Sequence, residues 1–394
     1  MSALIAGTSL VPFVKPGQSE TYDKMGADAL SLALIDAGIS LKHLDQAYVG
    51  YVYGDSTSGQ RAVYRVGTTG IPVINVNNNC ASGSTALFLA RQAVESGVAD
   101  CVVALGFEQM TPGALGTVFS DRPSPLKSFE MIADEFFEDK RDLPMTLKLF
   151  GGAGKAHMDL YGTKLKTFAK IRAKASEHAF NNPHALFRKK VSADEVLRSQ
   201  TIWPGVMTKM MACPPTCGAS AAILVSEKFA LKHGLDTSVR IRAQSMVSDS
   251  EDTFEGSDMI RLVGSGLTEA AATKVYDQGG VAPEDIEVIE LHDCFAQNEL
   301  ITYEALGLCS PGDGERLVED GDNTYGGKFV TNPSGGLLSK GHPLGATGLA
   351  QCFELTQQLR GNAGARQVDN ARFGLQHNLG LGSAAVVTLY ERMR

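Results

Sequence analysis

The sequence lacks any run of about 20 apolar residues, which is the length that a helix needs to cross a bilayer. It also lacks an excess of basic residues, since its formal net charge is −8 at pH 7. We therefore expect neither a membrane span nor a nucleic-acid partner. The opening residues, MSALIAG, are typical of a strand rather than a signal peptide, and the last residues carry no Ser-Lys-Leu-like peroxisomal address. Together these absences predict a cytoplasmic location.

The seven cysteines have neither the spacing of a disulfide framework nor that of a zinc site. Cys213 and Cys217 come closest to a metal clip, but no second pair or histidine cluster completes four ligands. The pattern predicts a reducing compartment, in which thiols are inert or catalytic, and it predicts no metal site.

The order of apolar and amphipathic segments predicts an α/β protein whose sheet is covered by helices. At 394 residues, the chain is long enough for two or three structural units. The alternation breaks in a region with several prolines and helical segments, which indicates an insertion between two strands. We predict an N-terminal half from residues 1–113 plus 212–238, an inserted domain at 114–211 and a C-terminal half at 239–394.

Cys80 lies where an apolar strand at 71–76 turns directly into a helix of small residues. Free N–H groups and the positive end of a helix dipole at such a position favour a thiolate, and hence a nucleophile. Because free cysteine is among the most buried residue types, an ordinary core cysteine is the other interpretation. This segment alone leaves both open.

A weak internal repeat relates residues 80–87 to residues 342–349 and aligns Cys80 with His342. If the two segments are equivalent, the chain contains two duplicated halves. The repeat predicts that Cys80 and His342 lie at corresponding helix starts, which meet at a pseudo-twofold axis.

Three segments together resemble the thiolase superfamily: NCASG at 79–83, HDCF at 292–295 and GHPLGATG at 341–348. The HDCF segment is similar to the sterol-carrier-protein-2 type of thiolase rather than the conventional type. The resemblance extends over essentially the whole chain. It implies a thiolase fold with two duplicated βαβαβαββ halves, mixed five-stranded sheets and an inserted loop domain. It also implies a homodimer or a dimer of dimers.

Thiolases cleave or form a carbon–carbon bond beside a coenzyme A thioester, and the resemblance implies a role for each site residue. Cys80 attacks the keto carbon and becomes acylated, while His342 takes its proton. Cys294 is the second acid and base: it protonates the departing enolate and then deprotonates the incoming CoA thiol. His292 binds the enolate oxygen in place of the asparagine of conventional thiolases. Backbone N–H groups of Cys80 and Gly380 form a second oxyanion site.

The chain departs from conventional thiolases at their C-terminal Cys-x-Gly motif, where it reads Asn378-Leu379-Gly380. This departure fits the variant in which the second cysteine has moved to the HDCF loop. His377, beside it, either contacts the site or orients a loop. Five other histidines lie on polar segments, and we expect them to be exposed: His43, His157, His178, His184 and His233.

The glycine-rich segment at 150–158 contains a lysine and lies in the predicted insertion, which in thiolases largely receives CoA. It lacks the Walker arrangement of a phosphate-binding loop. Gly154 and Lys155 are therefore candidates for CoA contacts and no more. Coenzyme A is implied as a substrate, and no other cofactor is implied.

The resemblance implies a 3-ketoacyl-CoA thiolase that releases acetyl-CoA or propionyl-CoA during fatty-acid or sterol side-chain degradation. Three alternatives stay open: a retro-aldolase acting on a sterol side-chain CoA thioester with a partner protein, acetoacetyl-CoA synthesis, and a non-catalytic carrier of CoA esters or lipids. The presence of Cys80, His342 and Cys294 argues against the first and the last. Because the chain stops at Arg394 without a sterol-carrier domain, we expect any lipid-transfer or DUF35-type partner to be a separate protein.

Overall fold

The computed structural model describes residues 2–112, 118–140, 142–255 and 258–393. Within these residues, a ten-stranded sheet and a two-stranded sheet are surrounded by helices. The strands are β1 (Ala3–Leu10), β2 (Gln46–Gly50), β3 (Val73–Val76), β4 (Cys101–Glu108), β5 (Thr201–Trp203), β6 (Met207–Thr208), β7 (Gly218–Ser226), β8 (Val239–Val247), β9 (Val288–Glu290), β10 (Val330–Thr331), β11 (Phe373–Gly380) and β12 (Ala384–Arg392). The α-helices are α1 (Tyr22–Ala37), α2 (Ser58–Tyr64), α3 (Ser82–Glu95), α4 (Lys127–Phe136), α5 (Met145–Tyr161), α6 (Leu165–Phe180), α7 (Ala193–Arg198), α8 (Glu227–His233), α9 (Met259–Leu262), α10 (Ser265–Gly279), α11 (Ala296–Ala305), α12 (Gly314–Glu319) and α13 (Thr347–Arg360).

The large sheet consists of two five-stranded halves that share one topology. The first half has the order β3-β2-β4-β7-β1, and the second has the order β10-β9-β11-β12-β8. In each half the first three strands are parallel, and the remaining neighbours are antiparallel. The halves join through the pairing of Leu4 with Arg240. The predicted α/β fold, with two duplicated βαβαβαββ halves and mixed five-stranded sheets, is confirmed.

Helices α3 and α13 occupy corresponding places in the two halves, and their first turns touch. A Cβ on Gly83 would lie 2.6 Å from the carbonyl oxygen of Gly345, and a Cβ on Gly348 would lie 2.4 Å from the backbone nitrogen of Ser84. Only glycine allows this close backbone approach. The contact brings together the loops that precede the two helices, which carry Cys80 and His342.

The two strand-to-helix connections correspond in the structure, as the sequence repeat predicts, but Cys80 and His342 do not occupy equivalent positions within them. Cys80 precedes the start of α3 at Ser82 by two residues, whereas His342 precedes the start of α13 at Thr347 by five. The sequence alignment therefore identified the right pair of loops with an offset within them.

Between β4 and β7 the chain forms α4 to α7 and the small β5-β6 sheet, which pack against the second half. Phe129, Leu149 and Phe168 from this segment share one apolar cluster with Leu300 of α11. The domain division stays a prediction, and its boundary at 113/114 lies outside the described residues. In the part of the chain that the structure describes, no helix combines the length and apolar character needed to cross a membrane.

Candidate active site

The loop that carries Cys80 is held in place by the second half of the molecule. Asn79 adopts a left-handed conformation with φ of 50°, which asparagine tolerates better than most residues. Its side-chain Nδ2 donates to the carbonyl oxygen of Leu381 at 3.1 Å. Gly380 packs against the same loop, because a Cβ there would lie 2.1 Å from the carbonyl oxygen of Asn78. The position predicted to be an oxyanion donor is thus adjacent to the Cys80 loop, and its donor role stays a prediction.

Three of the predicted site residues converge. The Sγ of Cys80 and one ring nitrogen each of His292 and His342 all lie within 4.8 Å of one another. The two imidazoles meet edge to face, with ring centroids 5.0 Å apart and planes at 87°. Cys80 comes from the first half, whereas both histidines come from the second, so the site forms only where the two halves meet.

Burial raises the pKa of the Cys80 thiol to about 12, and the nearby carboxylate of Glu108 adds to the shift. The expectation that the start of α3 favours a thiolate is therefore wrong for the resting protein. Desolvation is the largest cause of the shift, and it disfavours the charged form. The thiol is neutral at rest, and a base must take its proton in the step in which the sulfur attacks.

His342 is placed to be that base. Burial lowers the pKa of its imidazole to about 3, so the ring is neutral. Its Nδ1 lies 2.7 Å from Oγ1 of Thr347, and its backbone N–H donates to Oγ1 of Thr216 at 3.1 Å. Its Nε2 is buried and has no hydrogen-bond partner among the described residues. One ring nitrogen is thus anchored and the other is free for a ligand.

His292 is neutral as well, since burial and then the neighbouring His342 and His377 lower its pKa well below the usual value. Its Nδ1 lies 3.0 Å from Nδ2 of Asn378. Its backbone N–H donates to Nδ1 of His377 at 3.4 Å, and His377 Nε2 lies 2.9 Å from Oγ1 of Thr268. His377 therefore orients the His292 loop.

Cys294 lies close to the three converging residues but outside the 4.8 Å group. Burial, followed by charge on Cys213 and on Cys80, raises the pKa of its thiol well above the usual value. Its carbonyl oxygen accepts the backbone N–H of Cys213 at 2.9 Å. Cys213, which sequence reasoning considered only for zinc, is thus a third thiol beside the site.

Glu108 is a buried carboxylate that sequence reasoning missed. It accepts backbone N–H groups from Val52 at 3.1 Å, Tyr53 at 2.9 Å and Gly345 at 3.0 Å. Burial raises its pKa to about 7, against these hydrogen bonds. It therefore links the first half to the loop that carries His342. Its only signal in the sequence is an acidic residue at the end of an apolar strand.

In the described ranges, Cys80, His292 and His342 are the one group of histidine, cysteine or acidic side chains close enough to share a metal ion. Two imidazoles and a thiolate suit zinc, and the predicted absence of a metal stays a prediction.

The glycine-rich segment at 150–158 is not a phosphate-binding loop, because it lies inside α5. A Cβ on Gly154 would lie 2.3 Å from Cγ of Gln297, so this glycine serves helix packing. Lys155 pairs with Asp159 at 2.6 Å. The CoA roles proposed for Gly154 and Lys155 stay predictions.

Two histidines expected to be exposed are buried instead. His157 Nε2 lies 3.0 Å from Oε1 of Glu304, and His178 Nδ1 lies 3.0 Å from the carbonyl oxygen of Asn332. Their helices are covered on the polar side by the second half, which the helical pattern alone did not reveal.

Comparison with known proteins identifies both halves. The thiolase N-terminal domain family matches residues 3–127, and the thiolase C-terminal domain-like family matches residues 248–392. Sterol carrier protein 2 of Rattus norvegicus is 54% identical over 98% of this chain and 71% of its own length. The acetyl-CoA acetyltransferase of Methanothermobacter thermautotrophicus is 33% identical over 91% of this chain and 92% of its own length.

Solved structures share the fold at lower identity. The Ltp2-ChsH2(DUF35) aldolase matches with a TM-score of 0.83 and 20% identity, covering 100% of this chain and 98% of the other. Human mitochondrial 3-ketoacyl-CoA thiolase matches with a TM-score of 0.75 and 16% identity, covering 100% and 99%. Both matches confirm the thiolase fold. The chain belongs to the thiolase family, with sterol carrier protein 2 among its relatives, and is a thiolase-type acyltransferase.

Proposed function

We propose that this enzyme is a 3-ketoacyl-CoA thiolase, which uses CoA to cleave its substrate into acetyl-CoA or propionyl-CoA and a shortened acyl-CoA. The observation that carries the proposal is the convergence of Cys80, His292 and His342 within 4.8 Å, with the Cys294 thiol nearby. A nucleophile, its base and a second acid are what cleavage between C2 and C3 of such a substrate needs.

In the first half-reaction, Sγ of Cys80 bonds to the C3 carbonyl carbon while His342 takes the thiol proton. The C2–C3 bond then breaks, and its electron pair forms the enolate of acetyl-CoA or propionyl-CoA. Cys294 gives its proton to C2, while His292 donates a hydrogen bond to the enolate oxygen. The acyl group remains on Cys80 as a thioester.

In the second half-reaction, the Cys294 thiolate takes the proton of the incoming CoA thiol, and the CoA sulfur attacks the acyl carbon. The bond to Cys80 breaks, and its sulfur recovers the proton held by His342. All four groups return to their resting protonation states. Because the pKa of Cys80 is about 12 and that of His342 about 3, attack and proton transfer must proceed together.

The biological setting is part of the same proposal. Degradation of fatty-acid or sterol side chains would supply 3-ketoacyl-CoA. The enzyme would act in the cytoplasm as a homodimer or a dimer of dimers, with a lipid-transfer or DUF35-type protein as a partner. Acetoacetyl-CoA synthesis is the reverse of the same steps.

The test is intact-protein mass spectrometry after brief mixing with acetoacetyl-CoA, or with a longer 3-ketoacyl-CoA, in the absence of free CoA. We expect an acyl adduct that maps to Cys80 and that CoA discharges. A Cys80→Ala variant controls for acylation elsewhere. Absence of an adduct with every chain length would overturn the proposal and favour a retro-aldolase or a carrier, since neither needs an acyl-cysteine.

A further inference from the structure

Three side chains and one backbone carbonyl connect His292 to the centre of the molecule through an ordered series of hydrogen bonds. They are Asn378 and Gln376 of β11, Ser84 of α3 and the backbone carbonyl of Gly348 in α13. The three side chains are fully buried, so every donor and acceptor among them must be matched within the protein.

The carbonyl oxygen of Gly348 sets which group donates at each of these hydrogen bonds, because a carbonyl oxygen can only accept. Gln376 Nε2 lies 2.7 Å from the carbonyl oxygen of Gly348 and 2.8 Å from Oγ of Ser84. Its Oε1 accepts the hydroxyl of Tyr390 at 2.5 Å, which agrees with this orientation of the amide. The hydroxyl of Ser84 therefore accepts from Gln376 and keeps its own proton to donate.

That proton has one acceptor within the described residues, Oδ1 of Asn378 at 2.8 Å. If the Asn378 amide were flipped, Ser84 would face two N–H donors, and its own proton would be buried without a partner. Such an unsatisfied group costs about 1–3 kcal/mol. The amide orientation that avoids this cost directs Nδ2 of Asn378 at Nδ1 of His292, 3.0 Å away.

We propose that Asn378 is a positioning residue that holds the His292 imidazole in the tautomer with its proton on Nε2. An N–H donor opposite Nδ1 requires a lone pair on that nitrogen, which leaves the ring proton on Nε2. Nε2–H is then the group that His292 offers to a substrate oxygen. This use of the proton rests on the proposed function, whereas the tautomer itself does not.

His342 differs in a way that suits its different task. The hydroxyl of Thr347 donates to the carbonyl oxygen of Pro343 at 3.0 Å, so it accepts the Nδ1 proton of His342 at 2.7 Å and leaves the lone pair on Nε2, which is unpartnered among the described residues. Nε2 of His342 can therefore gain and lose a proton during a catalytic cycle while the contact between Nδ1 and Thr347 stays unchanged. His292 has no such freedom, because an amide cannot exchange donor for acceptor without breaking the contact with Ser84. The two adjacent histidines are thus a fixed donor and an adaptable base.

The test is ¹⁵N NMR of the full-length protein labelled at histidine, with His292 assigned from the signals lost in a His292→Gln variant. In the wild type we expect a protonated Nε2 and an unprotonated Nδ1. In Asn378→Asp, a carboxylate faces Nδ1 and cannot donate, so Nδ1 should become protonated. Asn323→Asp is the matched control, since Asn323 is a buried amide whose Nδ2 donates to Tyr303 at 3.0 Å.

The wild-type spectrum tests the proposal even if a variant fails to fold. A proton on Nδ1 of His292 in the wild type would overturn the proposal. An unchanged tautomer in folded Asn378→Asp would overturn it as well. With 3-ketoacyl-CoA we expect kcat of Asn378→Asp to fall by about 100-fold, with little change in KM, as for loss of one oxyanion donor. If the tautomers are as expected but no acyl-Cys80 forms in the wild type, the proposed function fails and the positioning role stands.

Discussion

The imidazoles of His292 and His342 lie 5.0 Å apart at right angles, although they are 50 positions apart in the chain. Burial lowers the pKa of both, and a charge on His342 lowers that of His292 further. Two positive rings at this distance inside the protein would repel each other strongly. The pair is therefore neutral at rest, and only one ring at a time can hold an extra proton.

Substitutions of Cys80 and Cys294, the two cysteines near this pair, should affect the two half-reactions differently. Cys80→Ala should abolish acyl-enzyme formation, because no nucleophile remains at the keto carbon. Cys294→Ala should still allow a single acylation of Cys80 but block turnover. Rapid-quench mass spectrometry measures acylation, and steady-state assays measure turnover. Complete loss of acylation in both variants would contradict this division of roles.

Removal of His342 should slow alkylation of Cys80. The thiol has a pKa of about 12, so its reaction with a small reagent such as iodoacetamide depends on a nearby base. We expect the rate for His342→Ala to fall by about tenfold or more at neutral pH. His233→Ala, which alters a histidine on α8 outside the site, provides the control. Equal rates in wild type and His342→Ala would remove the base from the mechanism.

A methyl group at position 380 should disturb the Cys80 loop. Its Cβ would lie 2.1 Å from the carbonyl oxygen of Asn78, and backbone must move to relieve that contact. We expect Gly380→Ala to lower the free energy of unfolding by about 1–3 kcal/mol and to reduce kcat. Urea denaturation and steady-state kinetics measure the two effects.

Gly266→Ala is the matched control for that substitution. Gly266 lies in α10, and an added Cβ would meet only Nη1 of Arg261 at 3.4 Å. Alanine there should increase the free energy of unfolding by about 0.5–1 kcal/mol, because it removes the helix cost of glycine. A loss of stability as large as that of Gly380→Ala would show that the close approach at 380 is not the cause.

Glu108 should give the protein a distinctive pH dependence. Its pKa is raised from 4.5 to about 7 in the folded state, so between these values the folded state binds more protons than the unfolded state. This contribution to stability therefore decreases as pH rises from about 4.5 to 7, by about 3 kcal/mol in total.

Glu108→Gln cannot titrate, so subtracting its unfolding free energy from that of the wild type isolates this contribution. The buried histidines, whose pKa values are lowered, act in the opposite direction and cancel in the difference. Urea denaturation at several pH values from 4.5 to 7.5 provides the measurement. Parallel pH profiles for the two proteins would contradict the raised pKa of Glu108.

The amino-acid sequence by itself determined the alternation of strands and helices and the duplication. Its motifs singled out Cys80, His292, Cys294 and His342 as candidate site residues, of which Cys80, His292 and His342 converge. Periodicity is a local property, and the motifs are contiguous in the chain, so both are visible without coordinates. The interpretation of Cys80 as a prepared thiolate was wrong because it used only the helix end. Burial of the thiol and the nearby carboxylate of Glu108 instead raise the pKa of Cys80.

Only the tertiary structure decided which groups face one another. His157 and His178 are buried because α5 and α6 pack their polar sides against the second half, and Gly154 allows the close contact of α5 with Gln297. Glu108 reaches Gly345 across 237 positions, and Ser84 reaches Asn378 across 294. Hydrogen bonds over such separations depend on how the two halves meet. Local sequence patterns carry no information about how the two halves pack. That packing sets the protonation states and the orientations of the side chains in the site.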